Sequence, residues 1–139
     1  MIAIITSALI LSACGGGGAA TTEAPVELDR PTPPSQYQGL NNPFADNPDA
    51  VAEGEQIYSA NCVSCHGEDA KGDGPAGASL DPKPADLADN QKYLSDGYMF
   101  WRISEGGAME PFNSQMLSWK NTLSEDQIWQ VITYLRTLG

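Results

Sequence analysis

The apolar and polar positions divide this chain into three stretches of different character. Residues 1–13 are apolar or small, with no charged side chain. That pattern predicts the apolar part of an export signal, too short for a membrane span. Residues 14–47 have no period. Gly15 to Gly18, followed by prolines 25, 31, 33, 34 and 43, predict a tether that is flexible at first and stiffer where proline accumulates. Beyond residue 47 the pattern becomes helical. Asn47, Pro48 and Asp49 predict a helix start, with proline at the first helical position and an acid in the first turn. That helix runs through Val51, Gly54, Ile57 and Tyr58 toward Cys62. Residues 66–90 are rich in Gly, Pro and Asp and predict loop. Ser95 and Asp96 open a second helix carrying Met99, Phe100, Trp101 and Ile103, stopped at Gly106-Gly107. Ser124 with Gln127 predicts a capping box for a last helix, where Ile128, Val131, Ile132, Leu135 and Leu138 form one apolar stripe. No segment alternates with period two. The expected fold is all-α, three to four short helices joined by long loops.

Charge narrows the range of partners. The 139 residues hold 18 Asp and Glu against 7 Lys and Arg, a net of −11. Nucleic acid is excluded as a partner, since phosphate binding needs a basic footprint. Residues 48–139 carry −8 of that charge and are the only stretch with enough apolar pattern for a core. Three short helices and a Gly/Pro loop bury little apolar surface by themselves. A large flat cofactor would fill the middle.

Three Cys and one His bound the chemistry further. Cys62-Val63-Ser64-Cys65-His66 is a C-x-x-C-H sequence, the attachment pattern of c-type haem. Two thiols at that spacing add across the two vinyl groups on one edge of a porphyrin, and the adjacent His reaches the iron. A thioredoxin-like redox pair would need a βαβ pattern, which this sequence lacks. A structural zinc site would need a second pair of ligands. A plain disulfide between Cys62 and Cys65 is the remaining alternative.

On these residues, 48–139 resemble a class I monohaem cytochrome c. Gly54, Tyr58 and Cys62 fall four apart, as in the family's first helix, and Tyr134-Leu135 resembles its terminal helix. The resemblance implies that the two helices cross with Gly54 at the contact and their aromatics interlocked. It also implies one covalent haem c held by Cys62 and Cys65, with His66 as an iron ligand. With His66 the only His, the sixth ligand is a Met, a weaker donor or nothing. Met109-Glu110-Pro111-Phe112 and Met116-Leu117-Ser118-Trp119-Lys120 both resemble the family's ligand loop. Met116 lies 18 positions before Tyr134 and Met109 lies 25 before it; the shorter spacing is the one the resemblance implies. Met116 is therefore the expected ligand and Met109 the alternative, while Met99 is expected in the core. Pro75 resembles the residue whose carbonyl accepts the His ring proton, and Trp119 or Arg102 is expected at a haem propionate.

The segment Leu11-Ser12-Ala13-Cys14-Gly15 resembles the lipobox of bacterial lipoproteins, which implies a lipid on Cys14. The expected organisation is a signal over 1–13, a lipidated tether over 14–47 and the cytochrome domain over 48–139. The expected function is one-electron transfer at a membrane surface, in the periplasm or on the outer face of the cytoplasmic membrane. Redox partners with basic docking surfaces would suit the acidic domain. A fixed subunit of a membrane respiratory complex is the second reading, and an open-site haem enzyme or sensor the third.

Overall fold

The computed structural model describes residues 30–139. Five α-helices carry the domain: α1 Pro48–Asn61, α2 Val63–His66, α3 Leu87–Asn90, α4 Asp96–Glu105 and α5 Glu125–Leu135. Short 3-10 turns lie at Ser35–Tyr37 and Gln91–Tyr93, and no strand is present among the described residues. The architecture is the expected all-α one. Two of the five helices are four-residue turns, α2 within the C-x-x-C-H motif and α3 at the end of the 66–90 stretch that reads as loop.

The long helices start where their caps dictate. The Asn47 side chain accepts from the Asp49 and Ala50 amides, Ser95 from the Tyr98 amide, and Ser124 and Gln127 close a reciprocal capping box. Helix α5 ends at Leu135, so Leu138 of the apolar stripe lies in the chain beyond it.

Packing concentrates at one crossing. Helix α1 buries only Ala50, Gly54 and Tyr58, a narrow stripe at four-residue steps. Helix α5 sets Ile128, Val131, Ile132 and Leu135 against it, each at most 3% exposed. A Cβ on Gly54 would run into the backbone carbonyl of Gln130, so glycine is what allows the helices to touch. The rings of Tyr58 and Tyr134 meet at 5.4 Å beside that contact. Tyr58 then reaches on: its hydroxyl donates to the Gly67 carbonyl at 2.8 Å, tying the crossing to the end of the C-x-x-C-H turn. Met99, Phe100 and Trp129 complete the core, with the last two rings stacked at 4.3 Å.

Residues 30–47 correct the expectation of a tether reaching to position 47. They form a strap packed onto the domain. The Asn42 amide nitrogen of the side chain donates to Trp129 O (3.2 Å) and Thr133 Oγ1 (2.9 Å), and its backbone N–H donates to Asp96. The Tyr37 hydroxyl donates to Glu105 at 2.6 Å. Tyr37, Leu40 and Phe44 pack against the core. Proline here limits the chain's freedom without preventing burial, because single side chains make the contacts and no period is needed. Residues 1–29, with the export signal and Cys14, lie outside the described residues.

Candidate haem site

The thiol pair sits at the junction of α1 and α2. Cys62 caps α1, its amide donating to Tyr58 O at 2.8 Å. It is partly buried against the core, and burial, then the neighbouring Cys65, pushes its thiol pKa up to about 11. The following loop folds back over this turn. The Gly72 amide donates to His66 O (2.8 Å), Gly74 to Cys65 O (3.2 Å) and Ala76 to Ser64 O (2.8 Å). The C-x-x-C-H turn is thus clamped from both sides in the chain, by Tyr58 and by this loop.

Beyond the turn opens a cavity of about 900 Å³ lined by Cys65, His66, Met99, Arg102, Phe112 and Met116, with Leu80, Pro82, Pro84, Leu87, Leu94 and Ile103 in its apolar wall. That volume suits a cofactor. The His66 Nδ1 faces the Ala85 carbonyl at 3.4 Å, and burial lowers the imidazole pKa, which favours the neutral, ligating form. The carbonyl expected from Pro75 is not the partner. Pro75 is exposed beyond Gly74, while Leu87 and Ala88 bond their amides to Ala70 O (2.7 and 3.3 Å) and so bring Ala85 beside the ring.

Met116 reaches the cavity because the chain after α4 doubles back on the helix end. Gly106, at φ +75°, stops α4, and a Cβ there would meet Met116 O at 2.6 Å. The Gly107 amide donates to Met116 O (2.9 Å), Ser114 to Gly107 O (2.8 Å) and Trp119 to Ile103 O (3.1 Å). Met109 lies in the loop between these bonds and does not line the cavity. Met99 lines it from α4 while remaining 5% exposed in the core. Leu117, beside Met116, turns outward and is 66% exposed. Trp119 is also outside the cavity lining, correcting the expectation of a role there. By that position the chain has run past the cavity wall and along α4.

Arg102 does line the cavity. Its guanidinium lies 3.4 Å from the Phe112 ring centroid, and its Nη1 is buried with no hydrogen-bond partner among the described residues. Burial lowers its pKa, yet guanidinium stays charged at neutral pH. A buried cation lacking an acceptor in an apolar cavity calls for an anionic guest. Porphyrin carboxylates supply such a charge, so the residues present fit haem.

A helical shell with a C-x-x-C-H turn at the mouth of a cofactor-sized apolar cavity defines a haem-attaching electron-transfer domain. The Cytochrome c family model matches residues 51–139, and the chain belongs to that family. It is 34% identical over 106 residues to the Cbb3-type cytochrome c oxidase subunit CcoP of Rhodobacter capsulatus, covering 68% of this chain and 31% of the relative. It is 31% identical over 98 residues to the subunit FixP of Rhizobium meliloti, covering 66% and 29%. The chain thus spans about a third of the length of these relatives. Among solved structures it is similar to the Kuenenia stuttgartiensis reducing HAO-like protein complex Kustc0457/Kustc0458, with a TM-score of 0.59, 27% identity and coverage of 78% and 51%. Cytochrome CL of Methylophaga aminisulfidivorans gives 0.54, 25%, 70% and 60%.

Proposed function

We propose that this chain carries one haem c, bound through Cys62 and Cys65 and ligated by His66 and Met116, and passes single electrons at a membrane surface. The observation that carries the reading is the meeting of Cys65, His66 and Met116 in the lining of one cavity. When bound, haem supplies a one-electron Fe(III)/Fe(II) couple, which thioether ligation shifts toward the reduced state relative to a second imidazole. Ala85 O orients His66 by accepting from its ring nitrogen, as carbonyls do for ligating His. The Gly106-Gly107 bonds hold Met116 against the cavity, and the apolar wall from Leu80 to Ile103 excludes water. Arg102 offers its unpartnered Nη1 to a propionate. Two ligands from the protein leave no position for a substrate, which suits a carrier and disfavours an open-site enzyme or sensor.

A lipid on Cys14 would hold the domain at the outer face of the cytoplasmic membrane. The acidic surface would meet basic patches on redox partners, with a strong salt dependence. The relatives favour a second reading, in which the chain is a fixed subunit of a respiratory complex, since CcoP and FixP are named as oxidase subunits. Co-purification with integral subunits in mild detergent supports that role, and isolation as a single lipidated chain supports the free carrier.

The test of the site is the oxidised spectrum of the intact protein beside Met109→Leu and Met116→Leu. The near-infrared sulfur-to-iron band is expected to vanish in Met116→Leu and to persist in Met109→Leu. The reverse outcome would move the ligand to Met109. Carbon monoxide binding to the reduced wild type at neutral pH would overturn six-coordination.

A further inference from the structure

The chain has seven cationic side chains. Four are engaged in ion pairs: Lys71 with Asp69, Lys92 with Asp89, Lys120 with Glu105 and Arg136 with Asp96. The other three, Arg30, Lys83 and Arg102, make no ion pair among the described residues, and all three line the large cavity. In a chain of net charge −11, cations without acid partners are unexpected anywhere, and their gathering at one cavity marks a place built for negative charge.

Arg30 comes from outside the helical domain. It stands at the start of the strap, whose hold on the body is made further on by Tyr37 and Asn42. Its Nη2 donates to Asn90 Oδ1 at 2.9 Å, and its guanidinium lies 5.9 Å from the Tyr98 ring centroid. Asn90 is neutral, so this bond positions the fork without cancelling its charge. A guanidinium has five N–H donors in a planar array that matches a carboxylate; Asn90 takes one of them. Lys83 is exposed and offers a hydrated point charge of lower geometric demand.

We infer that Arg30 binds a haem propionate beside Arg102, which makes the N-terminal strap a haem-binding element; the inference rests on the haem reading above. The two arginines reach the cavity from separate segments of the chain, one on the strap and one on α4. Each carries positive charge to the rim of a cavity whose guest has two carboxylates. A fixed cation there favours the reduced iron, because the reduced centre carries one positive charge fewer.

The test compares the full chain, made in a host that attaches haem, with its Arg30→Gln, Arg30→Lys and Lys71→Gln variants. Arg30 precedes the anchors of the strap, so these changes leave Tyr37 and Asn42 in place. Redox titration of Arg30→Gln is expected to shift the equilibrium about three- to tenfold toward the oxidised form, where tenfold equals 59 mV for one electron. Arg30→Lys is expected to lie between it and wild type. Lys71→Gln removes an equal charge outside the cavity and is expected to shift the equilibrium by less than half as much. Redox-difference infrared spectra with carbon-13-labelled propionates should show a displaced carboxylate band in Arg30→Gln and an unmoved one in Lys71→Gln. If Arg30→Gln keeps its haem and its sulfur-to-iron band but matches Lys71→Gln in both measurements, the inference is overturned and the haem reading stands. A wild-type chain without covalent haem would overturn both.

Discussion

The two sides of this domain are held together in different ways. On one side α1 and α5 cross in direct contact, with Gly54 against the Gln130 carbonyl and Tyr58 against Tyr134. Four of the side chains there are less than 2% exposed. On the other side residues 67–94 and 107–119 form a wall of loops around the 900 Å³ cavity. Their backbone bonds run to one another and to helix ends, with few buried side chains among them. One side is a conventional core. The other has the contacts of a shell, and its apolar lining would face water without a guest. Burial of that lining by a bound ligand would stabilise the folded state through linkage.

Removing the means of attachment tests this contrast most severely. Cys62→Ser with Cys65→Ser is expected to abolish covalent haem and to cost at least about 4 kcal/mol, the linkage expected for a ligand held a thousandfold above its Kd. Hydrogen exchange should then speed up across residues 67–94 while α1 and α5 keep most of their protection. Equal loss on both sides would show that the crossing does not stand alone. A change confined to the crossing comes next. Gly54→Ala forces a methyl group into the Gln130 backbone and should cost about 3 kcal/mol, read by denaturant unfolding of the haem-loaded protein.

The strap provides a smaller perturbation that belongs to neither side. Asn42→Ala removes bonds to Trp129 O, Thr133 and the Phe44 amide, and about 2 kcal/mol should be lost. Limited proteolysis should then cut within residues 30–47 while the helices survive. The smallest effect is expected at Glu105. Hydrogen bonds from Lys120 and then from Tyr37 hold its carboxyl below the usual carboxylate range. A depressed folded-state pKa means that its contribution is present above the unfolded value, near pH 4 to 5, and is lost as pH falls through the folded one. Glu105→Gln should flatten that part of the acid stability profile by less than about 1 kcal/mol, since Lys120 is half exposed.

What could be read from the sequence follows the same division. The three long helices and their caps were legible, because capping residues act within four positions and an apolar stripe repeats with the helical period; the Gly54 crossing was legible only through the resemblance to the family. The C-x-x-C-H turn was legible from its spacing, and Met116, which the resemblance to the family picks out over Met109, lines the cavity. The shell was harder. The His66 acceptor is a main-chain carbonyl, and Ala85 differs from Pro75 as an acceptor only by where the loop places it. Trp119 was misplaced because its register past α4 is set by backbone bonds that leave no mark on residue identity. The strap read as tether since its prolines 31, 33, 34 and 43 leave no helical or strand period, although Tyr37, Leu40, Asn42 and Phe44 were the signal of contact. Arg30 was hidden for the same reason.

That strap also sets a length. With residues 30–47 laid against the domain, a lipid on Cys14 would be joined to the body by only the 15 residues from 15 to 29, whose contour is at most about 54 Å. A leash running to residue 47 would allow about 119 Å by the same measure. The shorter one ends at the rim of the cavity, so the domain could sample only acceptors standing close to the lipid headgroups, and its attached end would be the end that holds the cofactor.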